Sequence, residues 1–389
     1  MISVLKKLFL SSFAIFLTSS IVRAEPSITS AVIDGLALSV SGTNFGASSA
    51  TVELYDTFEN GTEAFDSLEA NIGSWTSRSA PYPQVLVDDG YSGAHSIQVY
   101  DTVNEVAAIA KKVFLAPVSE VFVSYWIKIP AGSYFPCATS AETLATQSCW
   151  KMSWLMYGDL GYQGENDICV PTYIGTNHLV LAGNDYTPQI DGDYLDYGIS
   201  SWWVWDRWMR ISTWIKADPV NPSTTPGNIE VDIFSGASRL TEAWSIVVFD
   251  DDQIATVEKK WDRINVPGWI GPGYSNIKPL YDDIYVATGD NARARIEVSN
   301  AATFAASTNS TIQIVTAWGT DAITATLNLG SFQDGDHIYL YVVDADGAVN
   351  ADGYDLGILG AETNVTKQHV GYSSTGRSWV YSPTGVNVQ

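Results

Sequence analysis

Ser201–Phe234, SWWVWDRWMRISTWIKADPVNPSTTPGNIEVDIF, is the stretch whose reading decides the fold. It carries five of the fourteen Trp and sets two alternating segments on either side of a Pro-rich loop. From Trp208 the residues separate by parity. Met209, Ile211, Thr213 and Ile215 form one row, and Trp208, Arg210, Ser212, Trp214 and Lys216 form the other. Successive side chains of a strand point to opposite faces, so this pattern predicts a strand with one core face and one polar, aromatic face. After the loop, Ile229, Val231 and Ile233 repeat the apolar row, while Glu230, Asp232 and Phe234 repeat the polar one. The polar row suits a wet groove, and it reads equally well as a solvated outer face with Trp fillers.

The same alternation recurs upstream, where Val121, Val123, Tyr125, Ile127 and Ile129 interleave with Phe122, Ser124, Trp126 and Lys128. Short alternating segments with Gly and Pro turns, and almost no helical period, predict an all-β protein built of sandwiches. Residues 135–205 hold the longest irregular stretches, rich in polar and aromatic residues, where ligand contacts on a rigid scaffold concentrate. At 389 residues the chain has room for two cores.

The first 24 residues read as a secretory signal: Lys6 and Lys7, the apolar run Leu8–Leu17, then Val22-Arg23-Ala24 before Glu25. Nothing later is long and apolar enough to predict a membrane-spanning helix. Removing the signal takes away Lys6, Lys7 and Arg23 and moves the formal charge from −23 to −26. Such a field excludes nucleic acid as a partner. Three cysteines, Cys137, Cys149 and Cys169, would then sit in an oxidising compartment. A Cys137–Cys149 bridge closes the shortest loop, and pairings with Cys169 stay open.

Three phrases, YDTFENGTEAFDS from Tyr55, VDDGYSGAHSIQVYD from Val87 and VFVSYWIKIP from Val121, stand in order before the paired strands and LYDDIYVATG. Over residues 55–290 this order resembles the concanavalin-like jelly roll shared by lectins, carbohydrate-binding modules, glycanases and polysaccharide lyases. LSVSGTNFG at 38–46 resembles the opening strands of an IPT/TIG domain, an immunoglobulin-like sandwich, and the strands of residues 291–360 resemble its later ones. Residues 25–54 hold too few strands to stand alone. The reading is therefore a split immunoglobulin-like domain, 25–54 plus 291–360, with the jelly roll inserted and residues 361–389 as a tail.

The resemblance implies a polysaccharide-recognising protein whose cleft is lined by Trp126, Arg210 and Trp214, with Lys128, Lys151, Trp202 and Trp203 nearby. A polysaccharide lyase or endo-glycosidase using the same cleft is the second reading, and a surface adhesin or structural protein is the third. For a lyase, His178 and Tyr157, Tyr162 or Tyr173 supply acid and base, with Arg210, Lys151 or Lys128 holding a uronate carboxylate. For a glycosidase, Glu230 and Asp232 share a face, as in the E-x-D-x-x-E strand of retaining jelly-roll glycanases. Ser235 stands where their second Glu belongs, so the proton donor is lacking. Glu59, Asp282 and Asp283 resemble the acidic set that holds a structural Ca²⁺ between the first and last strands of such modules. Asp344–Gly353 fails the EF-hand register and reads as an Asp-Gly turn.

Overall fold

The structure is a computed structural model. It describes residues 24–48, 50–59, 69–78, 84–99, 110–132, 151–156, 167–173, 178–183, 195–197, 204–221, 227–235, 239–246, 260–266, 268, 278–360, 369–372 and 378–381. Residues 1–23, where the signal is expected, and Cys137, Cys149, Tyr157, Tyr162, Trp202 and Trp203 lie outside the described residues. The described chain is all-β, with one short 3₁₀ turn at Phe304–Ala306 and antiparallel sheets throughout. No helix among the described residues is long and apolar enough to cross a membrane.

Two sheets make the larger sandwich. One runs Arg239–Ile246, Gly227–Phe234, Trp208–Lys216, Glu120–Lys128, Leu280–Thr288, Thr51–Asp56 and Ile72–Gly73, and Gln84–Val87 and Ser96–Val99 join it at Leu280 to complete nine strands. The other has seven: Leu195–Tyr197, His178–Gly183, Asp167–Tyr173, Lys151–Met156, Trp261–Asn265, Ala110–Val118 and Ser77–Arg78. Parity explains the core between them. Val121, Val123, Tyr125 and Ile127 meet Met209, Ile211 and Ile215, then Ile229, Val231 and Ile233, all buried in one cluster with Met152, Leu155, Trp261 and Ile264 of the seven-stranded sheet. Burial of a large aliphatic side chain contributes about 1.5–3 kcal/mol, so these apolar rows dominate the assembly of this layer pair.

The smaller sandwich draws on both ends of the chain. Ala37–Thr43 pairs with Ala322–Thr326, Ala37 opposite Thr326 and Ser41 opposite Ala322. Leu38, Val40 and Phe45 are buried in one core with Ile296, Val298, Ile323, Leu340 and Val342. Its second sheet holds Ser310–Ile312, Arg295–Ser299, His337–Val343 and Tyr354–Ile358. Gly42 sits where the chain closes on itself: a Cβ there would lie 2.0 Å from the Ser27 carbonyl oxygen and 2.5 Å from the Phe45 ring. A side chain at this position would therefore force the first strands apart.

The larger sandwich begins at Thr51, four residues ahead of the pattern change expected at Tyr55, and Thr51 lies opposite Thr288. The two crossings between sandwiches are thus adjacent in one strand pair. Within Asp344–Gly353, Asp344 Oδ1 accepts the N–H groups of Asp346 (2.9 Å) and Ala348 (2.8 Å), which closes the segment as a turn.

Candidate functional site

The polar row of the nine-stranded sheet is buried at Trp126, Arg210 and Trp214, because the smaller sandwich lies on it. Arg210, 1% exposed, donates from Nη1 (2.9 Å) and Nη2 (3.0 Å) to the two carboxylate oxygens of Glu297, and from Nε to Ser124 (3.0 Å) and Ser212 (3.1 Å). Trp126, 4% exposed, stacks on Tyr91 with ring centroids 3.6 Å apart. Trp214, 8% exposed, donates to Glu120 (3.0 Å), and the Arg293 guanidinium lies 4.5 Å from its ring. Lys128 pairs with Asp89 and lies 5.5 Å from the Trp208 ring. What remains between Trp126, Arg210, Asp283 and Asn328 is a cavity of about 10 Å³, the space of one water. The wet groove expected along Trp126, Arg210 and Trp214 is therefore corrected to an intramolecular interface. Alternation separates two faces of a strand but does not tell solvent from a second protein layer.

The candidate glycosidase carboxylates belong to the same interface. Asp232 accepts Arg239 Nε (2.8 Å) and Nη2 (2.6 Å) and the Thr241 hydroxyl (2.9 Å), while Arg239 reaches the Phe304 carbonyl across the seam (2.9 Å). Glu230 accepts Arg293 of the smaller sandwich. Both are held by arginines.

At the presumptive calcium corner, Asp282 accepts three backbone N–H groups, from Tyr91 (2.6 Å), Ser92 (3.2 Å) and Asp283 (2.7 Å). Asp283 accepts Ser92 Oγ (2.7 Å) and Tyr55 OH (3.4 Å), and Glu59 accepts the His95 N–H (2.7 Å). Asp283 Oδ2 is buried with no hydrogen-bond partner among the described residues. Among those residues no group of three or more His, Cys, Asp and Glu is placed to hold a metal. Asp282 and one oxygen of Asp283 are thus held by amides and hydroxyls. Burial pushes Asp283 up to about 6, with the Ser92 and Tyr55 hydrogen bonds opposing. Asp282 is raised by burial and by the neighbouring Asp283 charge.

The outer face of the seven-stranded sheet is buried at Met156, Arg263 and Asn265 and half-buried at Trp154. Leu155 lies opposite Ile264 on one side and Ile168 on the other, and both Leu155 and Ile264 are buried in the core. The alternate row must face away from it. That row contains Trp154, half-buried, opposite Asn265 and Cys169. Its register also includes Arg263 opposite Met156, Lys151 opposite Pro171, and Tyr173 opposite His178. The backbone register thus sets positions 151, 173 and 178 in one row. It does not bring Arg210, Lys128 or Trp126 there, since these belong to the other sheet of the sandwich. The expected pocket joining His178 to Arg210 is corrected accordingly.

Sequence reasoning passed over Trp154, Arg263 and Asn265. Their signal was weak: Trp154 alternates over only a few residues in KMSWLM, and WDRIN is a five-residue strand.

No protein-family model matches the chain, and no curated protein is similar to it in sequence. Among solved structures the chain is similar to a marine alginate lyase from Aplysia kurodai, at 10% identity over 61% of this chain and 100% of that one, with a TM-score of 0.42. It is also similar to an alginate lyase from Chlorella virus, at 12% identity over 54% and 90%, TM-score 0.36. A third is the binding domain of botulinum neurotoxin serotype D, at 10% identity over 87% and 88%, TM-score 0.34. Each likeness is one of layered β-sheet architecture.

Proposed function

We propose that this is a secreted protein that recognises polysaccharide along the outer face of its seven-stranded sheet. The observation that supports the reading is the half-buried Trp154, whose backbone register row also includes positions 151, 173 and 178. An aromatic ring offers a platform for a pyranose, and the flanking cationic and hydroxyl-bearing residue types suit its oxygens. The smaller sandwich, made of strands from residues 25–54 and 291–360, we read as an IPT/TIG-like domain carrying the larger one as an insertion.

A second reading, a polysaccharide lyase, rests on Tyr173 lying directly opposite His178. Directly paired strand residues have Cβ atoms about 4.5–5.5 Å apart, so one site can hold both an acid and a base. In such a β-elimination the base removes the proton beside the uronate carboxylate and the C4–O bond breaks. The electron pair forms a C4–C5 double bond, and the acid protonates the departing oxygen. Lys151 is the residue of this row suited to the carboxylate.

Migration through gels containing neutral or uronic polysaccharides tests recognition. At least one polysaccharide is expected to retard the full chain, and Trp154→Ala to weaken that binding by about 1–3 kcal/mol, the range of single-ring stacking. Retention unchanged by Trp154→Ala contradicts the proposal. For the lyase reading, absorbance of unsaturated product is expected to fall by a factor of about 10²–10⁴ in Tyr173→Phe and His178→Ala, with retention kept. Undiminished product from both variants excludes this pair.

A further inference from the structure

We propose a separate binding pocket for a neutral saccharide at the seam of the two sandwiches. A cavity of about 560 Å³ opens between the Trp208–Lys216, Gly227–Phe234 and Arg239–Ile246 strands and the turn at Ala345 and Asp346. Its walls include Trp214, Lys216, Asn228, Glu230, Ala243 and Arg293. This volume falls within the roughly 300–1,000 Å³ typical of small-ligand sites.

The chemistry of the walls selects the ligand class. Both cations are already paired, Lys216 with Glu120 (2.9 Å) and Arg293 with Glu230, and Arg293 also donates to the Asp346 carbonyl (2.8 Å). An anion would find no free charge to bind and would approach a chain of strongly negative charge. What the pocket offers is hydrogen bonding beside an aromatic edge: the exposed Asn228 amide, the partly buried carboxylate of Glu230, and the small exposed edge of the Trp214 indole. The Arg293 Nε is buried and has no hydrogen-bond partner among the described residues. Neutral hydroxyls are the groups that match such a mixture of held charges, amide and aromatic surface.

Arg293 is built into this wall rather than draped over it. Gly347 adopts φ +84, and a Cβ there would fall 2.0 Å from the guanidinium carbon. The turn therefore needs glycine both for its backbone and for the close approach of Arg293.

The pocket does not depend on the outer face of the seven-stranded sheet, and the test separates them. The full chain is titrated calorimetrically with neutral cello-, xylo-, manno- and laminari-hexaoses and with a hexauronate. Ala243 is exposed on its strand, so Ala243→Trp fills the pocket without removing any bond described above. At least one neutral hexaose is expected to bind, with Kd raised tenfold or more by Ala243→Trp and by Asn228→Ala, an unchanged melting temperature, and no response to Trp154→Ala. The proposal is overturned by the absence of binding to any neutral hexaose at millimolar concentration. It is equally overturned by binding that survives Ala243→Trp, by binding lost only in Trp154→Ala, or by a hexauronate that competes for the same pocket.

Discussion

Glu297→Ala is expected to cost about 3–5 kcal/mol of stability, the range for breaking one partner out of a buried ion pair. Glu297 is fully buried and accepts Arg210 from Nη1 and Nη2, Arg295 Nε (2.6 Å) and Ser310 Oγ (2.5 Å). Burial alone would raise its carboxyl, and the Arg210 and Arg295 charges more than offset this and hold it well below the usual range. Without it two guanidinium groups remain in a dry interface, where an unpaired charge is far more costly than in water. Because the folded-state carboxyl is depressed, its contribution is present above the unfolded value near 4.5 and is lost as pH falls through the folded value. Urea unfolding followed by Trp fluorescence measures the loss at neutral pH. Arg210→Met added to Glu297→Ala should recover part of it, since an apolar side chain then replaces one of the stranded cations. A Glu297→Ala protein as stable as the parent would show that the smaller sandwich does not rest on this face.

Asp283→Asn is expected to act in the opposite direction, stabilising the protein at pH 7.5 by on the order of 2–3 kcal/mol. Asp283 is buried, its Oδ2 has no partner among the described residues, and its carboxyl is pushed up to about 6, first by burial. A raised carboxyl favours the protonated folded state. Its contribution is therefore largest below the unfolded value near 3.8, declines as pH rises towards 6, and stays low above it. Asparagine has nearly the same shape, carries no charge, and tolerates the left-handed backbone at this position, φ +46. Comparing melting temperatures of the two proteins at pH 7.5 and pH 4 isolates this group: a gain at 7.5 that vanishes at 4 is the expected result. The same melts with calcium and with chelator distinguish a cation role for Glu59, Asp282 and Asp283. A bound cation would favour the carboxylate, so Asp283→Asn would then destabilise the protein and erase any calcium-dependent rise.

The apolar rows were legible in the sequence because a period of two is set by the backbone itself. Val121 to Ile129, Met209 to Ile215 and Ile229 to Ile233 each alternate without interruption, and all reach the same core. The fate of the opposite row was not legible from Arg210 and Trp214 alone, since a polar aromatic face is compatible with water or with another sheet. A complementary signal did exist at Arg293, Arg295 and Glu297, where charges recur every second residue along ARARIEVS. Arg293 meets Glu230, Glu297 meets Arg210, and Arg295 lies over the Phe122 ring while donating to Glu297, so the interface joins two rows read at the same period. The candidate site on the seven-stranded sheet was harder. His178 and Tyr173 lie at the ends of two short neighbouring strands, and only the pairing register places one opposite the other. Lys151 enters the row through a bulge between it and Ser153, which shifts parity in a way composition does not reveal.

Hydrogen–deuterium exchange of the full chain, with and without a polysaccharide that retards it in gels, tests the central claim most directly, namely that the two faces of the larger sandwich have divided their roles. Slower exchange on binding is predicted in Lys151–Met156, Asp167–Tyr173 and His178–Gly183, with no change in Glu120–Lys128 or Arg295–Ser299. Protection confined to the latter two, with the seven-stranded sheet unaffected, would contradict it.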